Sequence, residues 1–472
     1  MTDIIRARSA WLAACGLAAA LAGSGAVAQS PTVWGSYETP FAATSPWNSR
    51  PVNPQFGTFV IPKSSYYPSI AEGAWSTGVF LAGSQDPPVT VVGPPNTKGV
   101  WDPDANVFRA TVEIPRWPAG VIPASAADGH ADIVDPLTGI VHSFYKLREV
   151  EGQWIAQQYA WTRLAGRGWG DPAHYFQGAR AAAVPTSGGV MRKHEIDDGR
   201  PLYRHALAMS LTYNALSANP TYVFPATSAD RDAATTNTGA IPEGALVMLP
   251  PSFDVRTIAT PAVRKVAETL KTYGAYVVDR NVGTPYVIYV ENGSGFNLHP
   301  GGWNKVAAND LERIRQALRQ VVAVDGWVDG DDRPVEPEKN LNLLSMRGPW
   351  TRQSGTVAGS FETWEQAVVF PPTASTTVMV NGSGRSLQPV SWALPVAGQA
   401  YRLRALTTGG ARLRLQLRDK ASGATLFDSK ELGNDQVVDF VWPSAAVTPV
   451  VSAISGVGGA STVRGELLRT GG

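Results

Sequence analysis

Cysteine is almost missing: Cys15 is the only one in 472 residues, which excludes a disulfide framework or a cysteine-ligated zinc cluster, and since it falls in the N-terminal stretch read below as a leader, no cysteine nucleophile is expected either. Charge is also scarce. Charged residues make up 17% of the chain, below the roughly 25% of an average soluble protein. The two signs nearly cancel, with Lys+Arg 40 against Asp+Glu 39. A chain without a basic excess offers no electrostatic footprint for nucleic acid or for an anionic membrane surface. Long apolar runs are missing too, and no stretch beyond the N-terminus approaches the 18 residues that a spanning helix needs. There is no HExxH, because His194-Glu195 lacks the second histidine, and no GxSxG elbow, Walker A loop or GxGxxG after a strand. Read as a calcium loop from Asp329, the acidic stretch puts Asn340 where a glutamate is required. No cofactor and no bound metal are therefore expected.

What is abundant is Gly (47) and Pro (36), without any fixed period, which implies many turns and few helices. At the N-terminus Arg6 and Arg8 precede an apolar run from Ala10 to Leu21 and then Ala26-Val27-Ala28. This is the anatomy of a secretory leader cut after Ala28. A lipoprotein reading at Cys15 would need a longer apolar run before it. The mature protein is expected to begin at Gln29, secreted or periplasmic. Its intact mass checks this, and a lipidated Cys15 would refute it.

Short apolar pieces such as Val89-Thr90-Val91-Val92 and Val107 to Val112 predict strands separated by proline-bearing loops. Asp135-Pro136-Leu137-Thr138-Gly139 sits between two alternating runs and predicts a hairpin; a further turn follows at Glu151-Gly152. Two more strands, Gly189 to Ile196 and Leu202 to Leu211, are expected to be joined by Asp197-Asp198-Gly199. Helical period appears twice. After Thr260 and Pro261, Val263, Val266, Ala267 and Leu270 share one face until Gly274; a second helix is expected to start near Asn309 or Asp310. Strands are expected at Ala275 to Asp279 and Tyr286 to Glu291. The stretch "DGDDRPVEPEKN" reads as an exposed connection. Beyond it Leu413, Leu415 and Leu417 alternate with arginines, the mark of a half-solvated antiparallel sheet.

The predicted architecture is all-β: a large jelly-roll-like β-sandwich with two accessory helices over residues 29–335, then a smaller C-terminal β-sandwich over 345–472. The missing blade-length repeat argues against a propeller.

All six histidines, the last being His299, fall in the first region, so groups that titrate near neutrality are confined there. Asp128, His130 and Asp132 open one strand, where a carboxylate could orient the imidazole. Arg192, Lys193, His194, Glu195 and His205 crowd two adjoining strands; if the hairpin is regular, Arg192 and His194 share a face opposite Lys193 and Glu195. Glu195 with Asp128 or Asp279 is a candidate carboxylate pair for glycoside hydrolysis. Elimination from a uronate would instead use His130, His205 or Tyr273 as the base and Arg192 as the cation. The same residues would equally suit the polar outer face of a sheet. Lys271, Tyr273 and Asp279 cluster around a helix end and the next strand, and Lys271 there also suits the helix dipole. Trp169, Tyr175 and Trp303 lie in polar, glycine-rich loops, where flat rings stack on sugars or anchor loops to the core.

"TSPWNSRPV", "DGHADIVDPLTG", "GGVMRKHEIDDGRPLYRHAL", "YVFPAT", "IPEGALVMLPPSFD" and "LKTYGAYVVDRN" together resemble a family of exported bacterial, largely actinobacterial, proteins to which no activity attaches. The resemblance spans about Thr44 to Asn281. Its matching positions are Asp128, His130, Asp135, Arg192, Glu195, His205, Lys271, Tyr273, Asp279 and Asn281; Asp132, Lys193 and His194 lie outside it. It implies a shared fold and a shared site.

The expected function is that of an exported carbohydrate-active enzyme, a glycoside hydrolase or polysaccharide lyase, whose partner is a polysaccharide or oligosaccharide. The alternative is a non-catalytic glycan-binding or envelope protein. The sharpest expectation is that His130, Arg192, Glu195 and His205 converge in one pocket, with Tyr273 among the catalytic groups and Asp128, Trp169, Tyr175, Lys271, Asp279 and Trp303 binding substrate.

Overall fold

The structure is a computed structural model that describes residues 32–171, 174–337, 342–381 and 394–470; the expected leader, residues 1–28, lies outside them. From Trp34 onward the chain is one compact unit. Among the described residues no helix is long and apolar enough to cross a membrane.

The chain is mostly β, in stacked sheets. A seven-stranded sheet has at its centre Leu246–Met248, Ala275–Asn281, Leu207–Thr212 and Tyr286–Tyr289, in that order. Alternation within these strands feeds two cores. Leu207, Met209, Leu211, Ala275 and Val277 face the helices Pro261–Thr272 and Lys305–Ala317, while Ala206, Ala208, Tyr276 and Val278 face Trp47, Trp169, Val134 and Val141. A sheet covered on both faces reads as a nearly continuous apolar run. Val134 and Val141 belong to a six-stranded sheet whose other face carries Ile133, Ile140 and Phe144. Those residues pack on Val91, Val112 and Ile114 of a four-stranded sheet.

The hairpin Ala131–Asp135/Ile140–Tyr145 forms as expected. Asp135 Oδ1 accepts from the turn N–H groups of Leu137 and Thr138, and its carboxylate pairs with Arg116. Thr260 and Pro261 start the first long helix. The second begins earlier than expected, at Lys305, because Asn304 accepts from the N–H groups of Val306 and Ala307; a good N-cap outranks the weak apolar start.

Two expectations need correction. Arg192 to Glu195 is not a strand and Asp197-Asp198-Gly199 is not its hairpin turn. Lys193–Glu195 is a 3-10 turn closed by a capping box, in which the Glu195 carboxylate reaches back to the Arg192 N–H at 3.0 Å. The acidic connection is exposed from Asp331 to Pro334, as expected, but it is not a free loop. Gly326–Val328 and Pro334–Val335 pair antiparallel, Asp331 accepts from Trp34 Nε1 at 2.7 Å, and Asp332 pairs with Arg50. Residues 338–341 lie outside the described residues.

The C-terminal region is a sandwich of two five-stranded sheets, with Leu413, Leu415 and Leu417 fully buried between them. It meets the rest of the chain at Asp104. This carboxylate accepts from Thr363 Oγ1 (2.8 Å), the Gln366 amide and the Phe176 N–H (3.2 Å), and lies 3.3 Å from His174 Nε2. Trp161 Nε1 donates to the same Thr363 hydroxyl at 2.9 Å. Burial alone would raise the Asp104 pKa, but His174 and these donors hold it below the ordinary carboxylate value.

Candidate functional site

A cleft of about 900 Å3 opens beside the ends of the central strands, lined among others by Asp128, His130, Tyr145, Arg180, Ser210, Asp230, Asp279 and Tyr289. Backbone phase puts Asp279 there. Counting by two from Ala275 and Val277 would point it toward the helices. The register instead shifts between Met209 and Ser210, pairing Met209 with Val277 but Ser210 with Asp279. Such a bulge turns the next side chain to the other face. Asp279 accordingly meets Arg180 Nη1 at 3.3 Å, and Arg180 lies 3.7 Å from the centroid of the Tyr289 ring, on the inner core.

The cleft holds carboxyl groups whose proton affinities have been moved. Burial, then repulsion from Asp230, pushes Asp279 up to about 7 despite the opposing charge of Arg180. Burial also raises Asp128, with Arg180, Lys146 and the Tyr145 hydroxyl pulling the other way. Asp230 is raised by burial against Arg280. Behind it Glu243, fully buried, is raised well above its ordinary value by burial and then by the charges of Asp230 and Asp279. His130 donates its Nδ1–H to the Phe144 carbonyl at 3.3 Å, since a carbonyl only accepts. Burial and the Arg180 charge lower its pKa to about 3. His130 is therefore a neutral hydrogen-bonding group at ordinary pH and not a base. The walls add apolar faces from Trp75 and Tyr66, both exposed, and from Trp101.

Of the sequence candidates, Asp128, His130 and Asp279 come together here. Arg192, Glu195 and His205 do not line this cleft and form their own cluster. His205 Nε2 lies 3.1 Å from Glu195 Oε2 and its Nδ1 lies 2.8 Å from the Ala206 carbonyl. Both partners are acceptors, so the ring holds two protons, and the two groups shift apart: Glu195 goes down to about 2 against the effect of burial, and His205 goes up against the same effect. Arg192 gives Nε to Glu291 at 2.8 Å and Nη1 to the Tyr37 carbonyl, with its guanidinium over the Tyr37 ring. The cluster clamps chain segments distant in sequence.

The other assignments are corrected as follows. Tyr273 is 4% exposed and caps the first long helix inside the core. Lys271 donates to the Phe253 carbonyl. Trp169 is wholly buried, stacked on Trp47 at 5.4 Å, with Nε1 donating to the Ala182 carbonyl. The Tyr175 ring is covered by Arg347 at 3.6 Å. Trp303 does stay open, at 62% exposed, stacked on His299 and edged by Tyr67, outside the cleft lining. Asp132, fully buried, accepts from Thr186 Oγ1 and the Ser187 N–H, which makes it a structural bridge. Sequence reasoning missed Arg180, Asp230 and Glu243. The one available signal was Arg180 standing alone among small residues in "QGARAAAV".

No protein-family profile and no curated protein matches the chain in sequence. Solved structures similar to parts of it include the accessory secretory protein 1, 2 and 3 structure from Streptococcus pneumoniae, at 15% identity, 28% of this chain, 99% of that chain and TM-score 0.22. The enzymatically active domain of tailspike protein 4 from bacteriophage CBA120 matches at 15% identity over 28% of this chain and 22% of that one, with TM-score 0.21. A family 16 carbohydrate binding module matches at 13% identity over 25% and 89%, with TM-score 0.18. Likenesses this partial carry no argument about function.

Proposed function

We propose that the protein is an exported glycan-cleaving enzyme that hydrolyses a glycosidic bond in the Asp128/Asp279 cleft. The observation that carries this reading is a pair of carboxyl groups in one sugar-sized cleft, of which Asp279 holds its proton up to about pH 7. Glycosidases need such a division into acid and carboxylate. Asp279 gives its proton to the glycosidic oxygen as the bond from that oxygen to the anomeric carbon breaks. Asp128, ionised, assists the water that attacks this carbon and takes up its proton, so that one water is added overall. Trp75, Tyr66 and Trp101 offer faces for sugar rings.

An activity screen of the mature protein on neutral and uronate-bearing polysaccharides tests the proposal, with reducing ends and unsaturated products measured together. New reducing ends without unsaturated sugar are expected. Unsaturated product would replace hydrolysis by elimination, and binding without either product would make the chain a glycan-binding protein.

A further inference from the structure

Among the described residues, Arg180 is the one buried arginine whose Nε and Nη2 are both without a hydrogen-bond partner. Its side chain is 1% exposed, lies flat on Tyr289 and spends only Nη1, on Asp279. A buried guanidinium left half-satisfied is costly and calls for a missing partner. The free pair matters, because Nε and Nη2 point their N–H bonds in parallel along one edge of the plane, matching the two oxygens of a carboxylate. Arg180 is among the residues that line the cleft and its two free nitrogens are enclosed, so the cleft is the side from which a partner can be supplied. Its surroundings confirm that it sits among the working groups, since its charge acts on Asp128, His130 and Asp279.

We infer that the Nε/Nη2 edge of Arg180 receives the carboxylate of a uronic acid unit, so that the substrate is an acidic glycan. The inference rests on the hydrolase reading and narrows its substrate. Two further cations line the same cleft. Arg231 is exposed, and Arg280 commits Nη2 to Asp232 at 2.7 Å while its Nη1 stays unpartnered. Together they attract an anionic polymer to an opening that also carries Glu72 and Asp230. The elevated proton affinity of Asp279 reduces the negative charge that a uronate would meet there.

The test uses the full mature chain on polygalacturonate, on glucuronan, on the same two polymers after carboxyl reduction, and on dextran sulfate as a second anion. Cleavage of at least one uronate polymer, with a loss of about tenfold or more in kcat/KM on carboxyl reduction, is expected for an ion pair of this kind. Arg180→Lys keeps the charge over Tyr289 but loses the planar edge. It should raise KM for the acidic polymer about tenfold while raising KM for the reduced polymer far less, any change in kcat through the Asp279 contact being common to both polymers. Equal cleavage of parent and reduced polymers would overturn the uronate assignment and leave the hydrolase standing; preference for the sulfated polymer would do the same. If nothing is cleaved, the hydrolase reading fails, and calorimetric titration with uronate oligosaccharides decides the anchor by itself: binding lost in Arg180→Lys supports it, and no binding overturns it.

Discussion

Asp279→Asn is expected to lower glycan cleavage by about 1000-fold, the scale of a lost general acid, while leaving the fold intact. The amide keeps the shape and can still accept from Arg180, but it carries no transferable proton. Wild-type kcat/KM should fall above pH 7, where Asp279 loses its proton, and fall again in acid as Asp128 gains one. In the variant the alkaline limb should vanish from whatever activity remains. Stability should move the opposite way to activity. The folded pKa of about 7 lies above the ordinary aspartate value of 3.8, so the contribution of this group is fully present below about pH 3.8 and is lost as pH rises through 7. Above that point the wild type must hold a buried charge that asparagine does not have. At pH 8 the variant should therefore be more stable, by on the order of 2 kcal/mol. Equal activity in wild type and variant would remove Asp279 from the chemistry; a variant that melts lower at pH 8 would show that the ionised form is the better one for the fold.

Glu195→Gln and His205→Asn should do the reverse, costing stability and sparing activity per folded molecule. The pair is only 15% exposed on each side, and removing one member leaves the other charge poorly solvated. A loss of about 2–3 kcal/mol is expected, below the full cost of breaking a wholly buried pair because some water still reaches it. The pH window follows from the two shifts. His205, raised in the fold, contributes fully below about 6.5 and loses its contribution as pH rises through its folded value. Glu195, lowered to about 2, contributes fully above 4.5 and loses its contribution as pH falls toward 2. The penalty in both variants should be greatest between about pH 4.5 and 6.5, read as a drop in melting temperature. Loss of activity in fully folded Glu195→Gln would return this residue to the chemistry.

Local periodicity made much of the fold legible. Leu413, Leu415 and Leu417 alternate without interruption and lie in a two-faced strand; the 131–145 hairpin announces itself through Asp135-Pro136 and Gly139; the first long helix has Thr260, Pro261 and Gly274 as punctuation. Legibility failed where one signal serves two structures. Asp197-Asp198-Gly199 suits a hairpin, but it also suits the end of a 3-10 turn, and the capping reach of Glu195 to Arg192 decides between them. Asp128, His130 and Asp279 were identifiable as polar groups set against apolar strands. What joins Asp279 to the others is a register shift, which alternation cannot reveal. Arg180 and Glu243 are invisible in one dimension, because their meaning lies in which segments surround them.

The buried junction at Asp104 changes what the C-terminal sandwich is. Its neighbours Pro103 and Phe176 both line the cleft, and Phe176 precedes Arg180 on a segment that Asp104 secures through the Phe176 N–H. Thr363 and Gln366 supply two of the hydrogen bonds that hold Asp104 in place. The sandwich and one wall of the cleft thus hang on the same carboxylate. The C-terminal sheets are in this sense a buttress of the cleft, and not a separate attachment.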